Sequence, residues 1–377
     1  MCAMREDWID RWKGFLIYLV VLGHAVGVAS HFSKDSVHDV YEGVFKVIYC
    51  FHMPAFFCLA GYVWKVRNED FCFFIKRKFE RLVVPYLVFA VISGAIYYCM
   101  AGAIGGSIGN AIDDFYNRKN VVPNVASLLL SIVHAGGVPQ NGVFAGNSVL
   151  WFLPTMFTSC VAYWVLNRYL GCAWGQSIFG VVSLVASHFI PRNLPWGVTL
   201  VPYYLFFIIA GRWGLPRLWA LCEKRWGVIL PLGFAAYLFL CLDAPNRWYA
   251  GQSLRWRLLF AGLALLGTFV SALLVKKVNL PRWMADVGLA SLGIMLLHKY
   301  VILALGMKLH VVRNLYGSGI IPSVLTVSIV TFVALLASYF GAMLIKRFCP
   351  GMLGERKNIF PCLHKEKLKA QGKIHYF

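Results

Sequence analysis

Charge is what this sequence has least of. Asp, Glu, Lys and Arg make up 14% of its 377 residues, where an ordinary soluble chain carries about a quarter. Carboxylates are the scarcer half, 16 against 36 basic residues, which leaves a formal charge of +20. A proton-coupled transporter normally needs carboxylates inside its apolar segments, and here only Asp286, near one helix start, comes close. Cysteine lacks pattern rather than number. The 11 cysteines include no C-x-x-C pair and no metal-ligand spacing, so neither a disulfide framework nor a metal site is expected. A cleavable leader is not expected either. Asp7, Asp10, Arg11 and Lys13 precede the first apolar run, which continues into a loop rather than a small-residue cleavage site. The basic residues form no single patch or tail, which speaks against a nucleic-acid partner. They recur in short clusters between apolar runs, as membrane loops do.

What fills the sequence is apolar. Those residue types reach 59%, and mean hydropathy is +0.66. A soluble core of this size would leave too much of that surface facing water. Lipid accepts it. A spanning helix needs about 20 mainly apolar residues. Ten runs qualify: 13–30, 43–64, 82–104, 148–168, 174–191, 196–214, 226–243, 256–275, 284–306 and 319–345. The fifth and seventh are short and interrupted by Pro or Gly. The expectation is an all-α, polytopic bundle of about ten spans, multi-pass in the plasma (inner) membrane. Residues 1–350 form one membrane-embedded unit and 351–377 a basic cytoplasmic tail. The 105–147 connection, rich in Gly, Asn and Asp, reads as a loop or small cap. No inverted repeat of the transporter kind is visible. With the N-terminus in the cytoplasm, most of the 36 basic residues fall on the cytoplasmic side, which also places the C-terminus there.

Ionisable groups inside spans are costly, about 2.5–3.5 kcal/mol at a helix centre, so they are the natural functional candidates. His24 lies eleven positions after Lys13, which returns to within about 20° of the same helix face, about 16 Å further along the axis. Asp10 falls roughly on that face as well. His52 lies on the returning second helix at a similar depth. Pro54 beside it cannot donate to the carbonyl of Cys50. His298, followed by Lys299, reaches a comparable level from the cytoplasm. Three histidines on three helices at one depth point to a polar cavity, whereas one alone is more commonly a buried ring bonded to a carbonyl. In KRKFERLVVPY, Arg77 and Arg81 are four apart and share a face. Their forks suit phosphate oxygens, although such a cluster also anchors helices on anionic lipid, the role read for Lys76 and Lys78. Trp151 in LWFLP fits a sugar-contacting wall and an interfacial belt equally well.

Several of these fragments occur together in one order: D-x-x-K-G with L-V-V-L-G-H, F-H-M-P-A-F-F-C-L-A-G-Y, R-K-F-E-R-L-V-V-P-Y, L-W-F-L-P and S-L-G-I-M-L-L-H. Together they resemble the acyltransferase-3 family of integral-membrane O-acyltransferases, with the fucose 4-O-acetylase-like branch nearest in character. The resemblance implies transfer from cytoplasmic acyl-CoA, acetyl-CoA by preference, to a glycan or lipid-linked sugar, without a metal. It places the family's required basic residue and histidine on Lys13 and His24, with Lys where many members carry Arg. The family's R-x-x-x-R falls on Arg77 and Arg81. The expected form is the stand-alone one, without the extra soluble domain many members carry. On this reading His24 is the base that takes the proton of a sugar hydroxyl. His52 supports the oxyanion, His298 completes the cluster, Lys13, Arg77 and Arg81 hold the donor, Trp151 faces the sugar, and Asp10 and Pro54 support. A covalent acyl-histidine starts from the same imidazole. The competing readings are a glycan or solute transporter or flippase with a histidine proton relay, and a scaffold, which has no reason to bury three histidines.

Overall fold

A computed structural model describes residues 6–33, 35–65, 69–103, 132–135, 147–191, 194–243 and 253–355. Most of the 105–147 connection and of the basic tail expected at 351–377 lies outside them. Every regular element among the described residues is helical.

Helix α1 (Asp7–Phe32) is unbroken. Asp7 and Asp10 occupy its first turn, where carboxylates offset the positive end of the helix dipole. Its length of about 39 Å at 1.5 Å per residue exceeds the ~30 Å hydrocarbon layer. The second span is divided into α2 (Asp35–Tyr49) and α3 (His52–Tyr62). Pro54 leaves the Cys50 carbonyl without its helical donor, and the chain turns at Cys50–Phe51. The third combines α4 (Phe71–Lys78), a π turn (Phe79–Val83) and α5 (Val84–Ala103). Asp70 caps α4, accepting from the Cys72 amide at 2.9 Å.

A 3-10 turn (Ser148–Trp151) opens α6 (Phe152–Tyr169), followed by α7 (Ala173–Ala186). The next span runs from a 3-10 turn (Pro195–Leu200) through α8 (Val201–Ile209) and a second π turn (Ala210–Gly214) to α9 (Leu215–Cys222). Then come α10 (Trp226–Asp243), α11 (Leu254–Val278), α12 (Arg282–Leu289), α13 (Ser291–Lys308), α14 (His310–Tyr316) and α15 (Ile320–Phe348). The two π turns share a cause legible in the residues. Arg81 lies four before Pro85 and Arg212 four before Pro216. Each proline lacks the amide that would bond that arginine's carbonyl, so the helix widens to a π turn instead of breaking.

Among the described residues, seven helices are long and apolar enough to cross a membrane, and the bent pair α12–α13 makes an eighth if it counts as one span. The fifth and seventh runs become the shorter apolar helices at 173–186 and 226–242. The ninth run is not one rod: α12 and α13 meet at 83°. All ten apolar runs are thus helical, while the number that span is set by length.

Helix α1 sits at the centre, against α2, α11, α12, α13 and α15. At its crossing with α12 the backbones nearly touch. A Cβ on Gly14 would lie 1.9 Å from the Met284 carbonyl oxygen, and one on Gly288 would lie 1.9 Å from that of Asp10. The same reciprocity joins α3 to α8 and the second π turn, through Gly61 against Ile208 and Gly211 against Cys58. Without a hydrophobic force between helices in lipid, close van der Waals approach of this kind holds a bundle together.

Candidate functional site

The histidines of three different helices converge. The rings of His24 (α1) and His298 (α13) are 5.1 Å apart, centroid to centroid. His52, first residue of α3, is reached through Tyr49 at the end of α2. The phenol ring lies 4.7 Å from His52 edge-on, and its hydroxyl is 3.3 Å from His24 Nδ1. Phe45 stacks on the other face of Tyr49 at 3.7 Å. The break between α2 and α3 makes this possible, because it lets Tyr49 and His52 turn toward α1 from adjacent helix ends.

Two of the three rings have their tautomer dictated by the backbone. His52 Nδ1–H donates to the Ile48 carbonyl at 2.8 Å, and His298 Nδ1–H donates to that of Ile294 at 2.9 Å. A carbonyl only accepts, so in the neutral ring the lone pair resides on Nε2. His298 Nε2 is buried without a partner among the described residues, a position that ordinarily demands a hydrogen bond. His52 and His298 are closed off, whereas His24 retains accessible surface. The carbonyl beside His52 is that of Ile48, not that of Cys50 released by Pro54.

The 3-10 turn before α6 forms one wall. Asn147 Nδ2 donates to the Leu296 carbonyl at 3.2 Å, and the Lys299 ammonium bonds the Ser148 hydroxyl. These contacts fall on either side of His298 in sequence. Lys299 is itself buried. Trp151 ends the same turn, its ring 5.9 Å from that of Tyr204, which stacks on Phe57 at 3.9 Å. An aromatic wall thus runs from Trp151 to the helix that carries His52.

One end of the bundle gathers the basic residues. Lys276 lies over Trp8 and Trp219 at 5.3 and 4.7 Å, Arg11 bonds Asn279, and Trp8 meets Tyr62 at 5.4 Å. This brings the start of α1, the ends of α3 and α11, and α9 to one level. Lys13 pairs with the buried Asp10 at 3.2 Å. Arg77 is held by Glu69 at 2.5 Å. Arg81 is exposed and makes no hydrogen bond or ion pair among the described residues. Lys76 is exposed as an anchor would be, but Lys78 turns inward, its Nζ 3.5 Å from the sulfur of buried Cys160. The turn Pro350–Leu353 folds back onto the first π turn, where a Cβ on Gly354 would meet the Glu80 carbonyl oxygen at 2.0 Å.

The residues that sequence reasoning passed over are Tyr49, Asn147 and Ser148, and Lys78, read there as a lipid anchor, instead bonds buried Cys160. Tyr49 carries a usable signal, a polar tip three residues before an in-span histidine and five before a proline. Asn147 and Ser148 carry little, because their partners are distant in the chain.

The acyltransferase-3 domain family, described as "Acyltransferase domain", matches residues 6–343. The nodulation protein NolL of Sinorhizobium fredii (strain NBRC 101917 / NGR234) is 34% identical over 85 residues, 22% of this chain and 23% of that protein. The aligned stretch therefore spans under a quarter of each. No solved structure matches significantly.

Proposed function

The chain belongs to the acyltransferase-3 family, and we propose that it is a membrane acyltransferase that moves an acyl group from a cytoplasmic acyl-CoA, acetyl-CoA by preference, to a hydroxyl of a cell-surface or lipid-linked sugar. The observation that carries this reading is His24, the accessible member of a three-imidazole cluster, on one unbroken helix with Lys13 at its basic end. The Lys and Arg distribution supports a cytoplasmic placement for that end, in the plasma membrane, with both termini on that side.

The donor has an anionic nucleotide end and a neutral arm. Lys13, Arg77 and Arg81 form the basic mouth that draws it in, and the arm reaches between helices toward His24. There Tyr49 accepts from Nδ1–H of His24, which leaves the Nε2 lone pair to take the proton of the incoming hydroxyl. The alkoxide attacks the thioester carbonyl to give a tetrahedral oxyanion, which the Lys299 ammonium and the newly formed His24 imidazolium stabilise, since neutral His52 and His298 offer only lone pairs at Nε2. Collapse breaks the carbon–sulfur bond, and the imidazolium returns its proton to the departing thiolate. Asp10 holds Lys13, Pro54 maintains the break that presents His52, and Trp151 faces the sugar ring with its apolar face.

The test is radiolabelled acetyl-CoA supplied to membranes that carry wild type or His24→Ala at equal expression. Loss of a general base should lower transfer by about 10²–10⁴-fold. Undiminished transfer in the variant would remove His24 as the base, and absence of transfer in the wild type with any sugar acceptor would remove the donor.

A further inference from the structure

Trp64, just beyond α3, contacts two cations that have no carboxylate partner among the described residues. Lys78 Nζ lies 5.5 Å from the Trp64 ring centroid and 5.9 Å from that of Phe74. Arg212, in the second π turn, donates from Nη1 to the Trp64 carbonyl at 2.9 Å and stacks over Trp213 at 5.2 Å. Its Nε is buried without a partner among the described residues. Neither cation has an ion pair there, whereas neighbouring Arg77 is already matched by Glu69. Tyr163 closes the group, its ring edge-on to Trp64 at 4.7 Å.

Two cations thus meet one residue by different parts, Lys78 over its indole and Arg212 on its carbonyl, and neither contact neutralises a charge. A cation over an aromatic face recovers only about 0.5–2 kcal/mol, and the remaining deficit is for an anion. A phosphate suits it, since a guanidinium fork grips phosphate oxygens and a lysine adds a point charge. Both side chains are half-buried against neighbouring helices, unlike exposed Lys76, so a headgroup at the bundle surface reaches them less readily than it reaches Lys76. We propose that Lys78 and Arg212, both in contact with Trp64, form the phosphate-binding site for the nucleotide end of the acyl donor. The assignment rests on the donor reading above and moves the tight grip away from Arg77 and Arg81, which attract the donor without holding it.

The experiment is titration of coenzyme A and of pantetheine, which lacks the nucleotide phosphates, into the purified full chain in neutral-lipid nanodiscs. Lys78→Gln and Arg212→Gln should each weaken coenzyme A binding about tenfold or more, as expected for loss of a charged hydrogen bond. Pantetheine binding should be unchanged, Lys76→Gln should behave as wild type, and Lys78→Arg should restore most of the affinity. A Lys78→Gln protein that elutes as wild type and binds coenzyme A equally well overturns the site while leaving the donor reading intact. No coenzyme A binding by the wild type overturns both. Co-purifying phosphatidylglycerol that is lost in Lys78→Gln, with coenzyme A affinity unchanged, assigns the site to a lipid phosphate and overturns the proposal.

Discussion

The histidine cluster and the basic end of the bundle are built by opposite means. In the cluster the backbone does the fixing. Carbonyls of Ile48 and Ile294 hold His52 and His298, and no carboxylate is among their hydrogen-bond partners. At the basic end side-chain charges sort themselves: Asp10 takes Lys13 and Glu69 takes Arg77, while Lys78 and Arg212 are left to aromatic rings. The physical reason is the surroundings. Within a helical span a carbonyl one turn back is the cheapest partner for a ring N–H, whereas near the interface carboxylates can remain charged. The cluster's chemistry therefore depends on helix geometry, and the basic end's on which cations are already matched.

The sharpest way to break this contrast is to part the helices. Gly288→Ala places a methyl against the Asp10 carbonyl, backbone to backbone, where no side chain can move aside. It should displace α12 from α1 and so disturb both the cluster, through α13, and the Asp10–Lys13 pair. Overpacking typically costs about 1–3 kcal/mol, and here the shift also moves His298. Transfer should fall below detection and thermal stability in detergent should drop. Gly43→Ala on α2, with nothing within 4 Å of its added Cβ, is the matched control and should change neither. Wild-type activity in Gly288→Ala would show that the crossing is looser than its geometry.

How much of this was legible follows from the same physics. Each apolar run became a helix because lipid leaves the backbone no other way to satisfy itself within a segment. Rotation about each axis was harder to read. In water an apolar stripe marks the buried face, but here the lipid-facing residues are as apolar as the packed ones. Phe179 and Val182 on α7 are exposed, as are Phe234 and Phe239 on α10, with nothing in their type to say so. Polar residues broke the degeneracy, which is why His24, His52 and His298 could be matched in depth. The 83° bend at Ala290 carries no proline or glycine at the joint. Beside it α12 packs on Gly14, a contact between residues about 270 apart that the local sequence does not announce. Lys78 was misjudged for a related reason: in K-R-K only rotation distinguishes it from Lys76, and the π turn that follows alters that rotation.

Within the cluster, Tyr49→Phe isolates one atom. It keeps the ring stacked on Phe45 and edge-on to His52 but removes the hydroxyl beside His24 Nδ1. Without it the imidazole can protonate at either nitrogen, and part of the population presents the wrong one. The turnover number should fall about tenfold, the equivalent of one net hydrogen bond, while KM for the donor stays the same. A change in KM alone would make Tyr49 a binding residue and detach it from the proton path.

The smallest effect tests the other half of the contrast, that matched cations attract without gripping. The Arg77–Glu69 pair is partly exposed, with 31% and 12% of the side chains accessible, and pairs of this sort contribute about 0–1 kcal/mol to stability. Glu69→Gln should therefore hardly alter the melting temperature, yet it frees a positive charge at the mouth. KM for acetyl-CoA should fall about twofold in low salt and return to the wild-type value near 0.5 M salt, where the Debye length has shrunk to a few ångströms. Arg77→Gln should move KM the other way by a similar factor and lose that difference in the same salt. A tenfold or larger effect of Arg77→Gln that survives high salt would mean this arginine touches the donor directly. The division between attracting and gripping cations would then be drawn in the wrong place.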